Sequence, residues 1–290
     1  EMQRSLVGSE MCIRDREIFM ETASALLFDR YYWILFVMPF AGMFLTLFTK
    51  RVKPYRKNGR IYRHDVAARI EHWPHAIGTF LLLISGLIIG LSFFRSFAGW
   101  ESDNVIPWID VHFVAACAFL FGTFYYISNA IAEPKRTKEH LPNKHMISST
   151  INHYGSKLGI KKCTYPHEGK YFQSENIAYI YAVGVGAIMA FTGITKALQH
   201  VVDLPVEVVS AATFIHDIGT LLMLLFLIAH VFFAVILPWS WKTAPSMIHG
   251  WIDEEEAKHE HPAWYEQVIN EEKLSNDHAC KANSDSKSSE

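Results

Sequence analysis

The 290-residue sequence predicts an all-α integral membrane protein, and its composition and patterning support that prediction. Half of the residues are hydrophobic, yet the mean hydropathy is only slightly positive, because the apolar residues occur in long blocks between charged segments. Five of these blocks approach or exceed the ~20 residues that a membrane-spanning helix needs. Barrel strands would be much shorter and would alternate apolar with polar residues, so we interpret all five blocks as helices.

The predicted spans are 31–49, 73–95, 108–132, 177–198 and 212–237. Proline marks several ends, since Pro54 follows the first block, Pro107 precedes the third and Pro238 ends the fifth. We interpret the last four blocks as a four-helix bundle within a membrane domain of residues 66–250. The first block is then an extra N-terminal transmembrane helix that serves packing or partner docking.

The two ends of the chain differ from the blocks. Within the N-terminal tail, 1–30, the stretch "EMQRSLVGSEMCIRDRE" has no helical or strand periodicity. Its "MCIRDR" resembles a translated sequencing adapter, so we interpret residues 1–16 as non-native. At the other end, 251–290 is a polar tail whose last residues, "NDHACKANSDSKSSE", contain few hydrophobic side chains and are predicted to be disordered.

The distribution of basic residues predicts the orientation. Segment 50–71 and loop 133–176 each contain eight lysines and arginines, whereas 96–107 and 197–211 contain none and are acidic. The positive-inside rule therefore places 50–71, 133–176 and the C-terminal tail in the cytoplasm. Net charge is close to zero, and no basic aromatic patch indicates nucleic-acid binding.

Two histidines in the most apolar block indicate a cofactor. His216 and His230 are 14 residues apart, which is about 21 Å along a helix and within about 40° of the same face. Polar side chains in hydrocarbon are costly and mark functional sites. A single histidine could be satisfied by a nearby serine or carbonyl, but two near opposite membrane surfaces match the axial ligands of two stacked b-type haems. A transporter that relays protons through histidines is an alternative from another class.

Each haem needs a second ligand at the same depth. The span 108–132 enters from outside, and His112 lies four residues after its start. Its depth therefore matches that of His216. His72 begins the span that enters from inside and matches His230, with His75 as its rival one turn deeper. The four cysteines show no CxxC or CxxCH spacing, so an iron–sulfur site and covalent c-type haem are not expected.

Several motifs together resemble the cytochrome b (gamma) subunit of membrane-bound formate dehydrogenase. They are "RIEHWPHA", "WIDVHFVAA", "TFIHDIG" and "AHVFF", followed by "SMIHGWIDEEEAKHEHPAWYE". The resemblance implies that His72, His112, His216 and His230 ligate two haem b groups. It chooses His72 over His75, because the family ligand directly precedes a tryptophan.

The family also implies where quinone binds. Its segment K-Y-N-x-G-Q before the fourth predicted span borders the quinone site, and here it reads "KYFQSEN", with Phe172 in place of Asn and Ser174 in place of Gly. The quinone-site candidates are Lys170, Tyr171, Ser174, Glu175 and Asn176. Arg69 and Lys196 lie near the two haem depths and are candidates for pairing with haem propionates, with ordinary interfacial charge as the alternative.

The resemblance implies an electron-transfer subunit in a bacterial inner membrane. It would pass electrons from an outside-facing iron–sulfur beta subunit, served by a molybdenum or tungsten catalytic alpha subunit, to menaquinone or ubiquinone near the cytoplasmic face. The chain would also contact membrane lipid, and the complex could assemble into a higher oligomer. The chain has no formate-oxidising site of its own. Alternatives are the cytochrome b subunit of a nickel–iron hydrogenase or thiosulfate reductase, and a haem-free anchor.

Overall fold

The computed structural model describes residues 26–91, 93, 106–160 and 168–287. Contacts divide the chain into two compact units. Unit one comprises Glu1–Leu47 and Trp73–Ile127, and unit two comprises Phe48–His72 and Ser128–Glu290. Residues 1–16, interpreted above as non-native, and most of the acidic segment 96–107 lie outside the described residues.

Helices dominate the described chain. In order they are α1 (Leu27–Tyr31), α2 (Ile34–Leu45), α3 (Val66–Gly90), α4 (Ile106–Ala132), α5 (Pro134–Lys138), α6 (Met146–Lys157), α7 (Gln173–Leu198), α8 (Val206–Val231), α9 (Ser246–His249), α10 (Glu254–Glu260) and α11 (Pro262–Lys287). Three short strands are β1 (Arg56–Lys57), β2 (Arg60–Tyr62) and β3 (Trp251–Asp253). Helix α8 continues as a π-helical turn, Phe232–Ile236, and Pro238 begins a 3-10 turn directly after it.

Four helical segments of the described chain are long and apolar enough to cross a membrane. They are Val66–Gly90, Pro107–Ala132, Gln173–Leu198 and Val206–Ile236, with 25, 26, 26 and 31 residues. At ~1.5 Å per residue each exceeds the ~30 Å hydrocarbon thickness. These helices confirm the four predicted spans of the bundle. Three of them begin four to seven residues earlier than predicted, because helical geometry continues into preceding residues that the sequence analysis left outside the spans.

The first apolar block differs from its prediction as a fifth span. Within 31–49 the structure has only α2, a 12-residue helix of about 18 Å, too short to cross the bilayer by itself. A turn separates α2 from α1, and Thr46 follows its last residue, with the Thr46 hydroxyl donating to the Met43 carbonyl at 2.6 Å. Hydropathy records the composition of a block, whereas these interruptions depend on backbone conformation.

Unit one is held together by close helix contacts at glycines. A Cβ on Gly42 in α2 would collide with the Phe121 carbonyl oxygen of α4, and a Cβ on Gly78 in α3 would lie 3.2 Å from the Ala115 carbonyl oxygen. Small residues allow such approaches between helices in membranes, where dispersion and hydrogen bonds replace the hydrophobic effect. Both α2 and α3 therefore pack directly against the backbone of α4.

Unit two combines a helix pair with a small apolar core. Helices α7 and α8 pack along their lengths, and the Tyr181 hydroxyl of α7 donates to the Leu222 carbonyl of α8 at 3.0 Å. Strands β1, β2 and β3 form an antiparallel sheet in which Ile61 is paired with Ile252. These two side chains are buried with residues of α10 and α11, namely Ala257, Trp264 and Val268.

Helix α11 occupies most of the polar tail. The sequence predicts disorder from residue 276 onwards, whereas α11 runs as a helix to Lys287. Arg56 links this tail to the sheet, because its guanidinium forms ion pairs with Glu254 at 2.9 Å and Glu272 at 2.7 Å. No proline or glycine follows Pro262 in α11, so nothing local interrupts helix propagation once its first turns are packed.

A buried carboxyl group stabilises the start of α7. Glu168 is 1% exposed, and its Oε2 accepts the backbone N–H of Gln173 at 3.0 Å. Burial raises the pKa of Glu168 from 4.5 to about 7, although the hydrogen bond from Gln173 opposes that shift. A carboxyl group whose pKa is higher in the folded state binds its proton more tightly there than in the unfolded chain.

We therefore expect Glu168→Gln to stabilise the protein in a pH-dependent way. Ionised Glu168 destabilises the fold progressively as the pH rises from about 4.5 through about 7, whereas glutamine stays neutral and keeps an acceptor oxygen. The difference in thermal unfolding midpoint between variant and wild type in detergent should grow between pH 5 and pH 8. A difference that is constant over this range would contradict the raised pKa.

Candidate functional site

Two candidate ligands, His72 and His230, face each other within unit two. Their ring centres are 6.3 Å apart, with an angle of 46° between the ring planes. Metal–imidazole bonds of about 2 Å, plus roughly 1 Å from each nitrogen to its ring centre, separate two axial imidazoles by about 6 Å. The observed separation therefore fits one iron between the two rings. Phe226 stacks on His230 at 5.5 Å and 13°.

A hydroxyl group determines the tautomer of His112 in unit one. Ser85 Oγ donates to the Leu81 carbonyl at 2.6 Å and lies 2.9 Å from His112 Nδ1. Because its proton is used on Leu81, Oγ accepts from Nδ1–H, and Nε2 keeps the lone pair that a metal requires. Gly86 follows Ser85, and a Cβ at this position would lie 3.4 Å from His112 Cε1, so the glycine leaves space beside the ring.

His216 in unit two has the same arrangement. Thr192 Oγ1 donates to the Ile188 carbonyl at 2.8 Å and lies 2.8 Å from His216 Nδ1. The proton therefore resides on Nδ1, and Nε2 keeps its lone pair. Gly193 follows Thr192, and its Cβ would lie 3.4 Å from His216 Cε1. A hydroxyl residue followed by glycine thus orients each of the two histidines.

His75, the rival of His72, has the opposite tautomer. Its Nε2 lies 3.0 Å from Thr123 Oγ1, and that hydroxyl donates to the Phe119 carbonyl at 2.9 Å. Nε2 of His75 therefore carries the proton and donates it to Thr123. A Cβ on Gly122 would lie 3.3 Å from His75 Nδ1, so this edge of the ring packs against α4. The geometry favours a packing role for His75 and leaves His72 as the ligand candidate.

The quinone-site candidates lie in a stretch that we call the Lys170 segment, residues 168–176. The Lys170 carbonyl accepts Arg63 Nη2 at 2.6 Å, and the Lys170 ammonium lies 3.4 Å from a Glu139 carboxylate oxygen. The ring of Tyr171 stacks on His140 at 4.2 Å and 29°. Burial raises the pKa of Tyr171 and lowers the pKa of His140 to about 3, so both rings are neutral at physiological pH.

Phe172, which stands where the family has asparagine, packs against two histidine rings. Its ring lies 4.2 Å from the ring of His153 and 4.4 Å from that of His261. His261 Nδ1 donates to the Gly169 carbonyl at 2.8 Å. Burial lowers the pKa of His153 to about 4 and that of His261 well below its ordinary value. Both rings are therefore neutral, and they hold the Lys170 segment by packing against Phe172.

The remaining quinone-site candidates begin helix α7. Glu175 accepts the backbone N–H of Phe172 at 2.9 Å, and Asn176, which is 2% exposed, directs its amide towards the Leu141 carbonyl at 3.4 Å. Burial raises the pKa of Tyr154, and Ser174 opposes that shift. Glu175 and Asn176 therefore take part in helix capping and packing. Glu175 also lies 3.8 Å from Arg63 Nη2, the group that contacts Lys170 and Tyr171.

The two propionate candidates have different surroundings. Arg69 Nη1 donates to the Ile248 carbonyl at 2.7 Å, which holds this side chain against α9. Lys196 lies one turn after Thr192 on α7 and interacts electrostatically with His216. Lys196 thus lies near the candidate ligand His216, and Arg69 precedes the candidate ligand His72 by three residues on α3.

Sequence reasoning missed the polar groups that surround these sites. Arg136 forms ion pairs with Glu71 at 2.9 Å and with Asp65 at 3.5 Å, beside His72 in the sequence. His64 and His140 both contact the ring of Tyr171. Glu71 lies inside the motif "RIEHWPHA", but the other four belong to no motif or periodic face, so no signal along the chain identifies them.

Comparison with known proteins identifies the family of the chain. The family model described as prokaryotic cytochrome b561 matches residues 63–250, a range that includes all four candidate ligand histidines and the Lys170 segment. The chain is also similar to the formate dehydrogenase, cytochrome b556 subunit of Haemophilus influenzae, with 26% identity over 238 residues that cover 77% of this chain and 90% of that protein. Membership of a b-type cytochrome family implies haem b, which the paired imidazoles fit. The chain belongs to the prokaryotic cytochrome b561 family.

Proposed function

We propose that this cytochrome is the membrane subunit of a formate dehydrogenase complex that carries electrons through two haem b groups to quinone. The facing pair of His72 and His230 is the observation that carries the proposal, because their separation fits a bis-imidazole iron site. The similarity to the Haemophilus influenzae formate dehydrogenase subunit supports the choice of complex. The tail motif "HPAWYE" favours it over a hydrogenase or thiosulfate reductase complex.

The proposed ligands form two pairs. His72 and His230 hold one haem, and depth along the sequence pairs His112 with His216 for the other. Ser85 accepts the Nδ1–H of His112, which leaves Nε2 to ligate and increases its basicity. Thr192 does the same for His216. Bound haem b supplies an iron centre that accepts and releases one electron at a time.

The quinone is proposed to bind beside the Lys170 segment. Quinone carbonyl groups need hydrogen-bond donors, which the Lys170 ammonium and the Tyr171 hydroxyl provide. The positive-inside rule places this segment and the C-terminus in the cytoplasm of a bacterial cell. Electrons that move inward from an outside-facing iron–sulfur subunit, with proton uptake from the cytoplasm, would store about 2.3 kcal/mol per charge per 100 mV.

The identity of the complex can be tested by purification. When the chain carries an affinity tag and is purified in mild detergent, we expect an iron–sulfur subunit and a molybdenum or tungsten formate dehydrogenase subunit to accompany it. Mass spectrometry would identify them, and formate should reduce the haems of the complex. Co-purification of nickel–iron hydrogenase subunits instead would reject the formate dehydrogenase assignment.

The ligand set can be tested by comparing His72→Ala with His75→Ala. We expect wild type to contain two haems per chain, and His72→Ala to lose one of them because it removes the ring that lies opposite His230. His75→Ala should keep both, since its Nε2 donates to Thr123. A pyridine haemochrome assay and α-band spectra measure this. Loss of a haem in His75→Ala, with retention in His72→Ala, would reverse the assignment.

The order of electron transfer can be tested with His230→Ala. This change should abolish quinone reduction, because it removes the haem on the side of the Lys170 segment. The other haem should still be reduced by the electron donor, with His75→Ala as the matched control for a histidine lost from a spanning helix. Quinone reduction at the wild-type rate in His230→Ala would show that this haem does not serve the quinone site.

A further inference from the structure

His64 presents a buried hydrogen-bond acceptor that nothing in the described chain uses. Ser246 Oγ donates to the Thr243 carbonyl at 2.6 Å and lies 3.0 Å from His64 Nδ1. Oγ therefore accepts from Nδ1–H, and His64 Nε2 keeps a lone pair. His64 is 3% exposed, and its Nε2 has no hydrogen-bond partner among the described residues. A buried acceptor without a protein partner is destabilising, so such an atom needs a hydrogen bond from water or from a bound molecule.

The position of His64 associates that acceptor with the Lys170 segment. Its ring lies 5.8 Å from the ring of Tyr171, and the preceding residue, Arg63, donates to the Lys170 carbonyl. Burial, together with the charges of Arg63 and Lys170, lowers the pKa of His64 well below its ordinary value. The ring is therefore neutral at physiological pH and accepts a hydrogen bond through Nε2 instead of donating one.

The two redox states of a quinone differ in what they offer such an acceptor. Quinone carbonyl groups only accept hydrogen bonds, whereas quinol hydroxyl groups also donate them. Lys170 and Tyr171 can donate to either state. A neutral imidazole lone pair, in contrast, can be satisfied only by the reduced state. A site that contains this acceptor should discriminate between the two states, because an unmatched buried polar group costs binding free energy.

We propose that His64 Nε2 accepts a hydrogen bond from a hydroxyl group of bound quinol, so that the site binds quinol more tightly than quinone. This inference rests on the proposed quinone site at the Lys170 segment and deepens it. Ser246 is the positioning residue, since its hydroxyl group holds the tautomer that leaves Nε2 as an acceptor. A buried water on Nε2 is the competing occupant.

Two substitutions of His64 separate these occupants. Asparagine can keep a contact with Ser246 but has no atom at the Nε2 position, whereas glutamine can place an amide oxygen there. Menadiol would be titrated into the complex with its haems fully reduced, and menadione into the oxidised complex, so that no turnover occurs. We expect His64→Asn to weaken menadiol binding about tenfold and to leave menadione binding within twofold. We expect His64→Gln to restore most of the menadiol affinity.

Other outcomes overturn the inference in distinguishable ways. Equal weakening of both ligands in His64→Asn would assign His64 a structural role, and unchanged binding of both would assign Nε2 to water. If wild type bound neither ligand while its haem content was intact, the proposed quinone site itself would be wrong.

A measurement on the wild-type complex tests the same inference without requiring that any variant folds. Tighter binding of quinol raises the midpoint potential of the bound menadione couple above that of the free couple, by about 30 mV for each tenfold preference. An anaerobic redox titration of the ligand bound to the intact complex would measure this shift. A bound potential equal to or below the free one would overturn the inference.

Discussion

The constraint on which this structure depends is that an imidazole N–H in an apolar membrane helix needs a hydrogen-bond acceptor. Ser85 and Thr192 provide it for His112 and His216, and in both cases the hydroxyl proton is already used on a carbonyl of its own helix. Only the opposite ring nitrogen is then free of a proton. One weak interaction, worth roughly 1 kcal/mol in a membrane, thereby decides which nitrogen can bind iron.

The same chemistry gives histidines different roles in one chain. Thr123 contacts Nε2 of His75 and not Nδ1, so this ring donates from the nitrogen that a ligand would need. Ser246 contacts Nδ1 of His64, as in the ligand candidates, but His64 lies outside the spanning helices and beside Tyr171. Tautomer and location together, and not residue type, distinguish His75 from the ligand candidates and from His64.

The Lys170 segment shows how a family motif can be retained with altered residues. Phe172 stands where the resemblance leads one to expect asparagine, and it packs between the rings of His153 and His261. Burial keeps both rings neutral, so Phe172 packs between two uncharged side chains. The segment is therefore held from the side of α6 and α10, while Lys170 and Tyr171 remain beside the cationic and aromatic groups of the candidate site.

Hydropathy blocks and helix phase along the chain determined the four spanning helices and the spacing of His216 and His230, because both are local properties of sequence. The resemblance around "RIEHW" predicts His72 as the ligand in preference to His75. Only the tertiary structure decided the tautomers, since Ser85 and Thr192 are 27 and 24 residues from their histidines on neighbouring helices. It also decided that the first apolar block forms a short helix and that His64 lies against Tyr171. Hydrogen-bond partners and buried neighbours are set by how elements pack, and no periodicity along the chain records them.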